Sequence, residues 1–144
     1  MNIQSILAKK GNNVVTIRPQ QTIRDAVAML ISNNIGSLVV INTADQPIGI
    51  ISERDIIRLV ATNEAVFPLS ISALMSREMV IGVPHDDLEA VAHTMTEKRV
   101  RHVPVVDQGK LIGIVSIGDI VKAQRDLYQG ELYTLQTQIL ADEV

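Results

Sequence analysis

Apolar residues fall along this chain in a rhythm that is played twice. Val14-Val15-Thr16-Ile17 is a short β-branched run closed by Pro19, which predicts a strand. Ile23, Ala26, Val27 and Leu30 follow at helical spacing behind Thr22, a residue suited to cap a helix. Asn33, Asn34 and Gly36 predict its stop. Leu38-Val39-Val40-Ile41 is apolar without interruption, the pattern of a strand covered on both faces. A polar turn from Asn42 to Pro47 leads into a second strand, Ile48-Gly49-Ile50-Ile51. Ser52 to Ala61 then reads as a helix with Ile56, Ile57 and Val60 on its apolar side.

Laying Pro84 on Pro19 brings the second half into register, and an internal repeat of this kind sets the architecture. Leu88, Met95 and Val100 then meet Ile23, Leu30 and Ile35. Asp87 is placed to cap a helix with Leu88, Val91, Ala92 and Met95 inward. Val103-Pro104-Val105-Val106 and Leu111 to Val115 predict a hairpin around Gln108-Gly109, and a helix begins near Ile117. After the loss of one residue in the turn, Gly49, Ser52 and Asp55 meet Gly113, Ser116 and Asp119. Each unit is β-α-β-β-α and buries too little surface to stand comfortably alone. The expected fold is therefore α+β: two such repeats packed about a pseudo-twofold axis, plus a C-terminal helix. The expected organisation is residues 1–62, a linker over 63–70, residues 71–124 and a helical tail over 125–144. Ile3 to Leu7 reads as a lead-in to the first unit, and Ile71 to Met75 as its counterpart for the second. Leu127, Leu132, Leu135 and Ile139 give the tail a narrow apolar seam, weakened by Gly130. That seam packs either on its own domain or on another subunit.

Composition narrows the picture. Hydrophobic residues make up 47% of the 144 positions and aromatic ones 2%, so the core must be aliphatic. A net charge of -3 argues against a general nucleic-acid binder. The absence of cysteine removes disulfide and thiol chemistry and suits a reducing cytoplasm. No signal peptide is recognisable at the N-terminus, and no apolar run approaches the roughly 20 residues of a membrane helix. His85, His93 and His102 lack metal-ligand spacing, and no phosphate loop, dinucleotide fingerprint or nucleophile elbow is present. These features predict a protein that is not an enzyme and holds no catalytic cofactor or metal.

The repeated phrase carries the candidate chemistry. Asp55 and Asp119 each follow a strand, in the first turn of a helix. An ionised carboxylate only accepts hydrogen bonds, which suits the paired hydroxyls of a ribose. The helix start offers unpaired N–H groups and a partial positive charge to a phosphate, and Ser52 and Ser116 add hydroxyls. Gly49 and Gly113 leave room for a ring or another backbone. Serine and aspartate are also the usual caps of a strand-to-helix junction. The phrase alone reads more readily as a cap; its repetition behind matching strands favours a site, and the two roles are compatible.

The two Gly-x-x-Ser-x-x-Asp phrases, Arg101-His102-Val103-Pro104-Val105-Val106-Asp107 and its counterpart Gly36-Ser37-Leu38-Val39-Val40 resemble a tandem pair of cystathionine β-synthase (CBS) domains, the Bateman module, over residues 3 to 124. The resemblance implies a stand-alone regulatory module. Its clefts between repeats would bind AMP, ADP or ATP, with S-adenosylmethionine and NAD in the same ligand class, and it would associate as a homodimer. It implies ribose contacts from Asp55 and Asp119. It implies that Asp55 faces Ile81-Gly82-Val83 and Arg101-His102-Val103-Pro104, with Arg54 beside it. Asp119 would face Thr16-Ile17-Arg18 and Gly36-Ser37-Leu38, with Gly118 in place of the arginine and Lys122 one turn on. The implied phosphate ligands are thus Ser52, Arg54, Arg101, His102, Ser116 and Lys122. The implied adenine walls are Thr16, Ile17, Gly36, Ser37, Leu38, Ile81, Gly82, Val83, Val103 and Pro104. The Asp55 cleft, richer in cationic groups, is expected to prefer more highly charged ligands.

Three functions compete at this point. A nucleotide sensor would signal to an effector protein through a change of conformation or of oligomeric state. A structural adaptor would keep the fold without a ligand and mediate protein contacts. An enzyme acting on a nucleotide is weakened by the want of a positioned nucleophile or metal cluster.

Overall fold

The computed structural model describes residues 1–11 and 13–142; the last two residues of the expected tail lie outside the described residues. The first repeat contains β1 (Thr16–Ile17), α2 (Ile23–Asn33), β2 (Ser37–Ile41), β3 (Pro47–Ser52) and α3 (Glu53–Thr62), preceded by α1 (Ile3–Lys10). A 3-10 turn, Glu64–Val66, and α4 (Ile71–Leu74) lead to the second repeat. That repeat contains α5 (Leu88–Lys98), β4 (His102–Asp107), β5 (Lys110–Ser116) and α6 (Ile117–Asp142). The first sheet has the order β1-β2-β3, with β1 parallel and β3 antiparallel to β2. In the second repeat β4 and β5 form the hairpin, and the expected first strand shrinks to a single parallel bridge between Gly82 and Val105.

Local sequence accounts for these elements. Thr22 and Asp25 form a reciprocal capping box at the start of α2, while Asp87 accepts the Ala90 N–H at the start of α5. Both helices end on a left-handed residue at matching positions, Asn34 at φ 51° and Arg99 at φ 55°. Gln108 and Gly109, at φ 52° and 78°, supply the paired positive φ values of a two-residue hairpin turn. Every residue of β2 is buried, as its unbroken apolar run predicts.

Two aliphatic cores result, and the lead-in segments cross between them. Ile3, Ile6 and Leu7 of α1 pack with Leu88, Val91, Met95, Val103, Val105, Val115 and Ile120 in the second core. Ile71 and Met75 pack with Ile17, Ile23, Ala26, Leu30, Leu38, Val40, Ile51 and Ile56 in the first. The expectation that each lead-in serves its own unit is thereby corrected. Helical spacing defines the apolar face of a short helix, but not the core it enters. Backbone bonds fix the exchange: Ile3 N–H to Asp86 C=O at 3.0 Å, Gln4 N–H to Pro84 C=O at 2.9 Å, and Ile71 N–H to Gln21 C=O at 2.7 Å. Ile3 and Ile71 are both fully buried, each contributing about 1.5–3 kcal/mol.

Gly49 and Gly113 belong to this exchange. A Cβ on Gly49 would collide with the Met75 side chain and lie 3.1 Å from the Ser76 carbonyl oxygen. One on Gly113 would sit 2.6 Å from a Leu7 methyl. The missing side chains thus admit the crossing segments rather than a ligand ring. The tail also differs in kind from a separate unit: α6 runs without a break from Ile117 to Asp142, and Leu127, Leu132, Leu135 and Ile139 on it are exposed. Among the described residues no helix is long and apolar enough to cross a membrane.

Candidate functional site

Both signature phrases fold into the same device at a strand-to-helix junction. Ser52 Oγ accepts the Asp55 N–H at 3.1 Å, and Asp55 Oδ2 accepts the Ser52 N–H at 3.0 Å. Ser116 and Asp119 repeat this at 3.1 and 2.9 Å. Each pair satisfies two backbone donors that a helix start would leave unpaired, worth about 0.5–2 kcal/mol. The cap engages one oxygen of each carboxylate, Oδ2. The next residue in each repeat ties the helix to the start of its neighbouring strand: Glu53 N–H to Gly36 C=O and Ile117 N–H to Arg101 C=O, both at 2.9 Å.

Around Asp55 the two repeats enclose a cavity of about 350 Å³. Gly36, Ile50, Ser52, Arg54, Asp55 and Arg58 come from the first repeat, and Arg99, Arg101 and His102 from the second. Glu78, Met79 and Val80, from the segment between α4 and α5, complete the wall together with Glu53, Ser76 and Val100. Four guanidinium groups therefore line one hollow, and among the described residues none of them lies within ion-pair distance of a carboxylate there. Arginine offers a planar fork of donors matched to phosphate oxygens. Arg58 and Arg99 are additions to the residues singled out from sequence. Arg58 was legible as the match of Lys122 in the repeat alignment. Arg99 holds a left-handed backbone at the end of α5, which costs about 1–2 kcal/mol for a residue with a Cβ. Strain retained at a cavity wall is a pointer to function.

Asp119 is differently placed. Lys10, at the end of α1, donates to Asp119 Oδ2 at 2.6 Å and to the Ile114 carbonyl at 2.9 Å. The cavity beside Asp119, about 210 Å³, is lined by Met1, Ser5, Ile6, Lys9, Lys10, Lys122, Ala123 and Asp126. Thr16, Ile17, Gly36, Ser37 and Leu38 are not among its walls; Gly36 lines the Asp55 cavity instead. Partial burial works to raise the Asp119 pKa. The Lys10 ammonium and the Ser116 N–H and hydroxyl outweigh it and hold the carboxyl below its ordinary value of 3.8. His102, on the wall of the first cavity, is held below its ordinary 6.5 by burial and by the Lys10 cation, with Asp119 and Glu53 opposing.

The remaining expected adenine contacts are dispersed. Ile17, Leu38 and Val103 are buried to 1%, 0% and 0% exposure within the two cores. Ser37 is buried, and Gly82 and Pro104 are buried and joined by an N–H to C=O bond of 2.8 Å. Thr16 is half-buried in β1, while Ile81 and Val83 are exposed. None of Ile81, Gly82, Val83, Val103 and Pro104 lines the Asp55 cavity, whose apolar wall is Ile50, Met79, Val80 and Val100. Among the described residues no three acidic or histidine side chains group as metal ligands.

Comparison with known proteins agrees with this architecture. The CBS domain family matches twice, over residues 6–62 and 71–126. The CBS domain-containing protein YhcV of Bacillus subtilis is 32% identical over 122 residues, covering 85% of this chain and 86% of that protein. The CBS-domain protein ATU1752 of Agrobacterium tumefaciens superposes with a TM-score of 0.81 at 36% identity, over 86% of this chain and 99% of that one. The CBS domain pair of protein MJ0100, in complex with 5′-methylthioadenosine and S-adenosyl-L-methionine, superposes with a TM-score of 0.77 at 26% identity, over 91% and 98% of the two chains. Twin capped phrases, exchanged lead-in helices and these matches together place the chain in the CBS-domain family, as a tandem pair of repeats.

Proposed function

We propose that this protein is a regulatory module that binds an adenosine ligand in the Asp55 cavity and is not itself a catalyst. The observation that carries the reading is the convergence, in one inter-repeat hollow, of the Asp55 carboxylate with Arg54, Arg58, Arg99, Arg101 and His102. Asp55 would accept the ribose hydroxyls. The helix start, Ser52 and the arginines would meet the phosphates, and Ile50, Met79, Val80 and Val100 would cover the base. Several unpaired guanidinium groups favour a di- or triphosphate over a monophosphate or an uncharged thioether. The adenosine ligands held by the MJ0100 pair support the ligand class, and the arginines of this chain argue for the charged members, ATP or ADP.

The signal would pass by a change in the angle of the repeats or in pairing of subunits. Ile31, Ile57 and Val121, exposed on α2, α3 and α6, are apolar positions suited to a homodimer contact. The exposed seam of α6 favours a second, compatible role as a docking element for an effector protein. A cytoplasmic setting fits both the ligand and the cysteine-free chain. Calorimetric titration with AMP, ADP, ATP, S-adenosylmethionine and 5′-methylthioadenosine tests the proposal. ATP or ADP should bind most tightly and raise the melting temperature. A melting temperature unmoved by the whole panel would leave the adaptor role standing.

A further inference from the structure

The two clefts descend from one repeated pattern, yet a single lysine separates them. Ile3, Ile6 and Leu7 of α1 are matched at constant spacing by Ile71, Leu74 and Met75 of the crossing segment. The same spacing carries Lys10 onto Glu78. Lys10 reaches the Asp119 carboxylate at 2.6 Å and the Ile114 carbonyl at 2.9 Å. Glu78 lines the cavity of Asp55 and, being acidic, has no attraction to that carboxylate. The swap of sign at one matched position leaves Asp55 without an ion-pair partner among the described residues and gives Asp119 one.

Resting on the reading of both aspartates as sugar-binding groups, we propose that Lys10 is the specificity determinant of the second cleft: its ammonium neutralises the Asp119 carboxylate and engages Oδ2, so that a ribose diol spanning both carboxylate oxygens must displace it. Ammonium and sugar diol are both hydrogen-bond donors; Asp119 Oδ2 already accepts the Ser116 N–H at 2.9 Å and Lys10 at 2.6 Å, so only Oδ1 stays open to a diol and the charge that would draw it is already paired. The ion pair is only partly shielded, with Lys10 36% and Asp119 25% exposed, so it opposes ligand without sealing the cleft. The consequence is ordered filling, the Asp55 cleft first and the Asp119 cleft at higher concentration. Because α1 packs on the second core through Ile3, Ile6 and Leu7, release of Lys10 does not require α1 to leave.

ATP titrations settle the point. In the unaltered chain, calorimetry should resolve one tight and one weaker site; two equal tight sites overturn the proposal. In an Asp55→Asn background, which weakens the first cleft, Lys10→Met should tighten ATP binding at the second by about tenfold, the scale of one partly exposed charged hydrogen bond. Lys10→Gln gives a second neutral variant should the methionine disturb folding. Lys10→Arg, which keeps the cation, should leave the second cleft weak. Affinity unchanged or lowered by both neutral variants overturns the proposal, a fall meaning that Lys10 instead holds the phosphates. If the unaltered chain binds ATP only at Asp55 and no variant opens the second cleft, the gate alone fails. If no variant binds ATP anywhere, the sugar-binding reading fails and the gate with it.

Discussion

The Asp55 and Asp119 clefts share a scaffold and differ in charge. Both have the strand, the glycine, the serine–aspartate cap and the tie to the neighbouring strand, with bond lengths that agree to within 0.1 Å. Around the first stand four arginines without ion-pair partners among the described residues; around the second a lysine is already paired with the carboxylate. The backbone device is thus set by what a helix start requires, while the charge of each cleft is set by side chains that the cap does not constrain. A duplicated fold can keep its geometry and still divide its labour.

The sharpest way to break this comparison is to neutralise each acid in turn. Asn retains an oxygen for the cap, so Asp55→Asn should fold and lose ten- to a hundredfold in ATP affinity, about 1.5–3 kcal/mol, by calorimetry. Asp119→Asn should leave the tight site intact. Equal losses in both variants would refute the division. The scaffold makes the opposite prediction. Gly49→Ala and Gly113→Ala should each destabilise the fold by a similar amount, about 1–3 kcal/mol in urea unfolding, because each drives a Cβ into a crossing segment. Next in size is the helix-end pair. Arg99→Gly should raise stability by about 1 kcal/mol through relief of the left-handed strain and should weaken ATP binding. Asn34→Gly, at the matching position on the other repeat, should do neither.

Protonation gives the smallest effect and distinguishes the clefts again. His102 has a folded pKa below its unfolded value, so the native state binds fewer protons. Its contribution to stability is whole above pH 6.5 and is lost as pH falls from there through the depressed folded value. Asp119 is also depressed, but as an acid: its contribution persists until pH drops through 3.8 and is lost through its lower folded pKa. Because bound phosphate would favour the charged imidazole, ATP affinity should rise modestly between pH 8 and pH 6. His102→Asn should flatten that slope in the same titration.

Much of this was legible in the sequence because the repeat supplied its own control. The register of Gly49, Ser52 and Asp55 on Gly113, Ser116 and Asp119 identified both junctions, and Thr22 and Asp87 marked the helix starts correctly. Less legible was anything that depends on which surfaces meet. The apolar face of Ile3, Ile6 and Leu7 does not announce that it enters the far core. Lys10 is one of two adjacent lysines at the end of a short helix, and nothing in their order says which reaches Asp119. Residues such as Ile17 and Leu38 combine strand pattern with proximity to a motif, so core and ligand wall look alike until burial separates them. The membership of the first cavity was partly readable, through Arg54, Arg101 and His102 and through the match of Arg58 to Lys122; Arg99 needed the third dimension.

The exchanged lead-in helices have a consequence for the molecule as a whole. Each half is an unfinished socket whose plug is carried on a different stretch of chain, so neither hydrophobic interior closes unless both form. Cleavage between α3 and α4 should therefore yield two pieces that survive by clasping each other, as in fragment complementation, rather than as independent miniatures. The interlock makes the pair, not the single repeat, the smallest unit expected to fold here.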